Sequence, residues 1–249
     1  MIARFRALAL KLPFDEVTDI HEQDAPDGKP VFHPYDHSFR QGAVYLSRKR
    51  SDGEEDVVHV PALHAMFFYV RVQGAESASI GLASHPPVVV HQEDVIKRNK
   101  NGSERERLFR QGDPIEFPTR RRGYYSWHSF CKTQYAGNPK LGGEANFLKA
   151  HLSLIELLDQ IKATGAKVAI RDDSSYARHR NVDRLLSSLR DWNAIVANVV
   201  GRIGDMLGNK SGSIVAPIKE RPDFEHLEAK GIKVLRKLAA RQRRRKKGS

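Results

Sequence analysis

The sequence predicts an α+β protein, with a β-rich N-terminal half packed against a helical C-terminal half that carries two long helices. Three observations predict it. Branched and aromatic residues crowd short runs before residue 120, such as VVHV and FFYVRV, where they suit a pleated surface. After Gly143 the apolar residues instead recur in steps of three and four, the period of a helix. Breakers such as Pro61 and Pro86–Pro87 divide the first half into short runs, whereas Gly165 and GNKSGS (208–213) end long ones in the second.

In chain order, residues 2–12 (IARFRALALKL) alternate apolar and polar at several positions, as a half-buried strand does. The polar stretch that follows, with Asp24, Pro26, Asp27, Gly28 and Pro30 as breakers, reads as an exposed loop. GAVYLSRKR (42–50) reads as a strand running into a charged turn. Residues 56–74 are the most apolar part of this half, and Pro61 divides them. A short strand pair is expected around Pro86–Pro87. The charged, turn-rich residues 97–114 suit a projecting hairpin tip or a mobile loop.

In the second half, Leu148, Leu152, Ile155, Leu158 and Ile161 form one helical stripe, and Gly165 ends it. KVAIRDD (167–173) is a short strand candidate. Asn181 suits the N-cap of a second helix running to about Leu207, with a stripe from Val182 through Leu185, Leu186, Leu189, Trp192, Val196, Val199 and Ile203. A last helix, about Glu225–Lys246, turns progressively basic. Residues 1–230 therefore read as one α+β domain, mainly β over 1–120 and mainly α over 144–230. A basic helical or disordered tail follows at 231–249.

The net charge of +12 over 249 residues is unevenly spread. Residues 1–96 carry −5, 97–127 carry +5, 128–229 carry +2 and 230–249 carry +10. The body is therefore not basic; the tail is. A tail of this kind neutralises phosphates, which points to DNA or RNA as partner, with an anionic membrane surface or simple solvation as alternatives. Arg241, Arg243, Arg244, Arg245, Lys246 and Lys247 are its densest part. A second basic group, Arg120, Arg121 and Arg122, runs into Tyr124 and Tyr125, and cations beside aromatic platforms suit single strands. Trp127 and Phe130 are expected to anchor the junction of sheet and helices.

The enzyme reading is a hydrolase-type protein with a pocket between sheet and helices. Its candidates are Cys131 as nucleophile with His128 nearby, and the adjacent carboxylates Asp172 and Asp173 after the KVAIRD segment. These side chains would have to converge to share chemistry. His33, Asp36, His37, His59 and His64 are the histidine-rich places, but none has a zinc-ligand spacing, so no metal is expected. There is no phosphate-binding loop and no cofactor motif. A third reading makes the 182–207 stripe the contact surface of a homodimer. One cysteine permits no internal disulfide, no apolar run is long enough for a membrane span, and the opening residues are too charged for a signal peptide, so a cytoplasmic protein is expected.

Overall fold

A computed structural model describes residues 1–24, 44–49, 55–60, 62–91, 95–98, 104–108, 115–119, 123–125, 127–207, 217–221 and 223–247. It bears out the α+β class: antiparallel strands fill the first half and helices the second. The chain forms two compact units, one from residues 1–71 and 77–131, the other from 72–76 and 132–249.

The first unit opens with helix α1 (Ile2–Ala9), where the alternation of residues 2–12 pointed to a strand. The reason is that Ile2, Phe5 and Ala9, spaced three and four apart, form one buried helical face, and this outweighs the partial alternation. The polar stretch beyond it, expected as a loop, contributes β1 (Glu16–Val17) and β2 (His21–Asp24). Both pair with β5 (His64–Arg71), so together they make one interrupted edge strand, and an edge with a solvated face needs no apolar pattern. β6 (Ala78–Ser84) lies on the other side of β5, with Phe67 opposite Gly81, and β11 (Tyr124–Tyr125) completes the five-stranded sheet. α1 lies against β5 and β6. Three two-stranded pairs accompany the sheet. β3 (Val44–Lys49) pairs with β4 (Glu55–Val60), β7 (Val88–His91) with β10 (Ile115–Pro118), and β8 (Val95–Arg98) with β9 (Glu104–Leu108). The last pair overlaps the charged residues 97–114, of which 99–103 and 109–114 lie outside the described residues.

The second unit is helical. Two 3₁₀ turns (Thr133–Gly137 and Pro139–Leu141) lead through Gly142, at φ 99°, into α2 (Gly143–Ala163). A single turn, α3 (Tyr176–His179), precedes the two longest helices, α4 (Val182–Leu207) and α5 (Phe224–Lys247). Asn181 caps α4 as expected, accepting the Arg184 N–H at 2.8 Å. KVAIRDD joins no sheet; residues 166–172 have no regular secondary structure. An apolar run of this length needs a ladder partner to become a strand, and none is offered among the described residues of its unit.

The buried faces coincide with the apolar stripes only in part. On α2 the buried residues are Phe147, Ala150, His151, Ser153, Ile155, Leu157 and Ile161, while Leu148, Leu152 and Leu158 are only half-buried. Phe147 forms a core with Leu185 and Leu189 of α4. Further along α4 the buried residues are small: Ala194, Ala197 and Asn198. α5 packs there, with Leu227 buried and the Asn198 amide donating to the Glu228 carbonyl at 3.4 Å. Gly231 permits this approach, because a Cβ at 231 would run into the Ala194 carbonyl. Among the described residues no helix is long and apolar enough to cross a membrane.

Candidate functional site

Trp127 is built into the first unit rather than displayed on it. Its indole covers Gly81, where a Cβ would stand 2.5–2.7 Å from the ring atoms. The ring stacks on Phe67 with centroids 5.1 Å apart and planes 22° apart. Its Nε1–H donates to Ser79 Oγ at 3.0 Å, which satisfies the one polar group the indole buries. Two residues on, Ser129 Oγ accepts the Ser79 N–H at 3.0 Å. The segment beginning at Trp127 is thus fastened across β6, and Trp127 is an anchor within its own unit. Phe130 differs from the expectation: it is 64% exposed, because the fastening made by Trp127 and Ser129 ends before it.

His128 is exposed and Cys131 half-buried, on residues 127–132 that form neither helix nor strand. That irregular backbone lacks the helical turn that would bring a 128/131 pair onto one face. Asp173 is exposed in a turn. Asp172, by contrast, organises that turn. One carboxylate oxygen accepts the Ser174 N–H (3.0 Å) and hydroxyl (2.7 Å), and the other the Ala177 N–H (2.9 Å). Burial alone would raise its pKa; the hydrogen bonds from Ala177 and Ser174 outweigh burial and hold the carboxyl below the usual aspartate range.

The partner of Asp172 that sequence reasoning missed is His151. Its Nδ1 is 3.0 Å from Thr133 Oγ1 and its Nε2 is 3.5 Å from Asp172 Oδ2. At that length the second contact is electrostatic rather than a hydrogen bond, and Nε2 is buried with no hydrogen-bond partner. Burial lowers the His151 pKa, against the opposing pull of Asp172, so the ring is neutral at pH 7. With the carboxylate facing Nε2, the proton sits there and the Thr133 hydroxyl donates to Nδ1. Tyr176 packs edge-on against the ring at 5.7 Å. A hydroxyl, an imidazole and a carboxylate in line are the elements of a nucleophile relay. Here Thr133 is 7% and His151 8% exposed, so no substrate carbonyl reaches the hydroxyl. The array ties three segments of the second unit together. Its signal in the sequence was weak: a lone histidine beside the apolar positions of a helix, with partners 18 residues before and 21 after.

Arg120, Arg121 and Arg122 lie outside the described residues. Tyr124 and Tyr125 form β11, opposite Ser84 and Ala83. Arg241, Arg243, Arg244, Arg245, Lys246 and Lys247 all fall within α5, which stays helical to Lys247. His33, Asp36 and His37 are outside the described residues, and His59 lies in β4. His64 contacts Glu22 at 2.9 Å and Asp24 at 3.9 Å across the edge of the sheet. Among the described residues no three His, Cys, Asp or Glu side chains are placed to share a metal ion.

No family model matches the chain, and no curated protein or solved structure matches it.

Proposed function

We propose that the protein binds nucleic acid without sequence preference, through the basic end of α5 with Arg120–Arg122 as a second contact. One observation carries the reading: a single helix joins the packed core of the second unit to the cation cluster. Leu227 and Gly231 seat its first half on α4, and the same helix runs on through six basic residues in the last seven, 241–247. A disordered tail of equal charge would lose conformational entropy whenever it met a phosphate chain; a helix has already lost it. Basic groups in the last turn also offset the negative end of the helix dipole, so the same charges favour the helix that displays them. Successive helix positions rise by about 1.5 Å and turn by about 100°, which distributes the six cations of positions 241–247 round the axis, past the apolar positions Ile232, Leu235, Leu238 and Ala239 of the same helix. The reading puts the protein in the cytoplasm, where the lone Cys131 remains a thiol.

A salt titration of binding to duplex and single-stranded DNA and RNA tests this. Log K should fall linearly with log salt. Replacing Arg241, Arg243, Arg244 and Arg245 by Gln should reduce the slope by about 0.9 for each duplex phosphate that the variant no longer neutralises. A full chain that binds none of these at low salt, or whose binding ignores salt, would refute it.

A further inference from the structure

Past Leu189, α4 turns one face toward α5 and, among the described residues, leaves the opposite face exposed. Ala194, Ala197, Asn198 and Gly201 turn toward α5. At about 100° per residue, the residues Trp192, Val196, Val199, Ile203 and Met206 centre about 170° away on the same helix. These five are between 37% and 86% exposed. Their spacing, four, three, four and three, continues the heptad begun at Val182, Leu185, Leu189 and Trp192, whose Leu185 and Leu189 are already buried within the unit. A solvated face of an amphipathic helix is ordinarily polar; this one has no charge along its centre.

We propose that this stripe is the contact surface for a second copy of the chain, paired antiparallel about Val199. The stripe is nearly palindromic. Counted from Val199, its members stand at −7, −3, 0, +4 and +7, and the same set read backwards is −7, −4, 0, +3 and +7. A two-fold axis at Val199 therefore sets Trp192 against Met206 of the other copy and Val196 against Ile203, with Val199 meeting itself. This is the self-complementarity that a two-fold interface requires. The indole–thioether pairing at each end is favourable in its own right. Charge agrees with this direction. Arg202 and Asp191 share one flank of the stripe, both exposed, 11 residues apart. Antiparallel pairing sets this flank against the same flank of the other copy, with Arg202 of one and Asp191 of the other about 7.5 Å apart along the axis, whereas parallel pairing carries the two flanks to opposite sides of the pair. The stripe extends about 21 Å, so the contact is shorter than a standard interface and the dimer dissociates on dilution.

Sedimentation of the full chain over a wide concentration range, in salt high enough to strip nucleic acid, tests the proposal. A reversible monomer–dimer equilibrium is expected. Val199→Glu, which sets two carboxylates together at the axis, should raise the dissociation constant about tenfold or more while leaving the circular dichroism unchanged. In a Cys131→Ser background, Val199→Cys should oxidise to a linked dimer and Met206→Cys should not. A monomer at every concentration, a dimer indifferent to Val199→Glu, or a linked Met206→Cys dimer would each overturn it. So would a monomer whose Trp192 resists a soluble quencher, since a segment of the same chain would then cover the stripe. Dimerisation at high salt stands or falls separately from the binding of nucleic acid.

Discussion

Gly81→Ala puts one methyl group into the space under the Trp127 indole. The added carbon would meet three ring atoms at 2.5, 2.7 and 2.7 Å, where a comfortable carbon–carbon contact is about 3.5–4.0 Å. The ring must therefore retreat by about 1 Å, and it is held from two directions. Retreat lengthens the bond to Ser79, now 3.0 Å, beyond useful range, which costs about 1 kcal/mol. It also disturbs the stack on Phe67, worth about 0.5–1.5 kcal/mol. Against this, alanine restricts the unfolded chain and recovers about 0.5–1 kcal/mol. The expected net loss is about 0.5–2 kcal/mol, confined to the first unit. Denaturant unfolding followed by tryptophan emission, in a Trp192→Phe background so that Trp127 is the sole reporter, measures it. Trp127→Leu in the Gly81→Ala chain, followed by circular dichroism because no tryptophan then reports on the first unit, should cost less than Trp127→Leu alone, because removing the indole also removes the clash. A neutral or stabilising Gly81→Ala, or strictly additive losses in the two changes, would refute this account of the packing.

Two further outcomes follow from the second unit. His151 is neutral when folded, with its pKa lowered by burial, so between that value and the ordinary histidine range near about 6.5 the unfolded chain binds more protons. Stability is full above that range and declines as pH falls through it toward the folded value; His151→Leu, although less stable at pH 7, should flatten this part of a stability-versus-pH curve measured by urea unfolding. Asn181→Ala leaves the Arg184 N–H without its 2.8 Å acceptor and should cost about 1 kcal/mol in the unfolding of α4, read by helical circular dichroism.

Periodicity made the long helices legible, because no strand or turn repeats its apolar residues at three and four. The Asn181 cap was equally readable from its place before the first apolar residue. What periodicity could not reveal was which face would be buried. On α4 the contact with α5 runs over Ala194, Ala197 and Gly201, residues too small to stand out, while the larger Val196, Val199 and Ile203 stay exposed. Close approach of two backbones favours small side chains, so past Leu189 the bulky apolar side of the helix is not the buried one. α1 was misread because eight residues that mix arginine and leucine satisfy both periods in part, and the choice lies with the sheet they meet. β1 and β2 are polar edge pieces defined only by their partner β5. The Thr133–His151–Asp172 array joins three distant segments, and a single sequence holds no trace of that proximity. Trp127 and Phe130 look alike in sequence; the notch at Gly81, 46 residues earlier, selects the first.

The turn organised by Asp172 also divides the chain into neighbouring stretches that open on different timescales. The Ser174 and Ala177 amides are tied to a carboxylate that is itself buried, so they exchange their protons with water only when the array opens as a whole. Residues 166–171, without a ladder, have no such lock. An abrupt step in solvent exchange therefore falls between them, and a protease that senses local opening would cut before Asp172 and spare the turn after it.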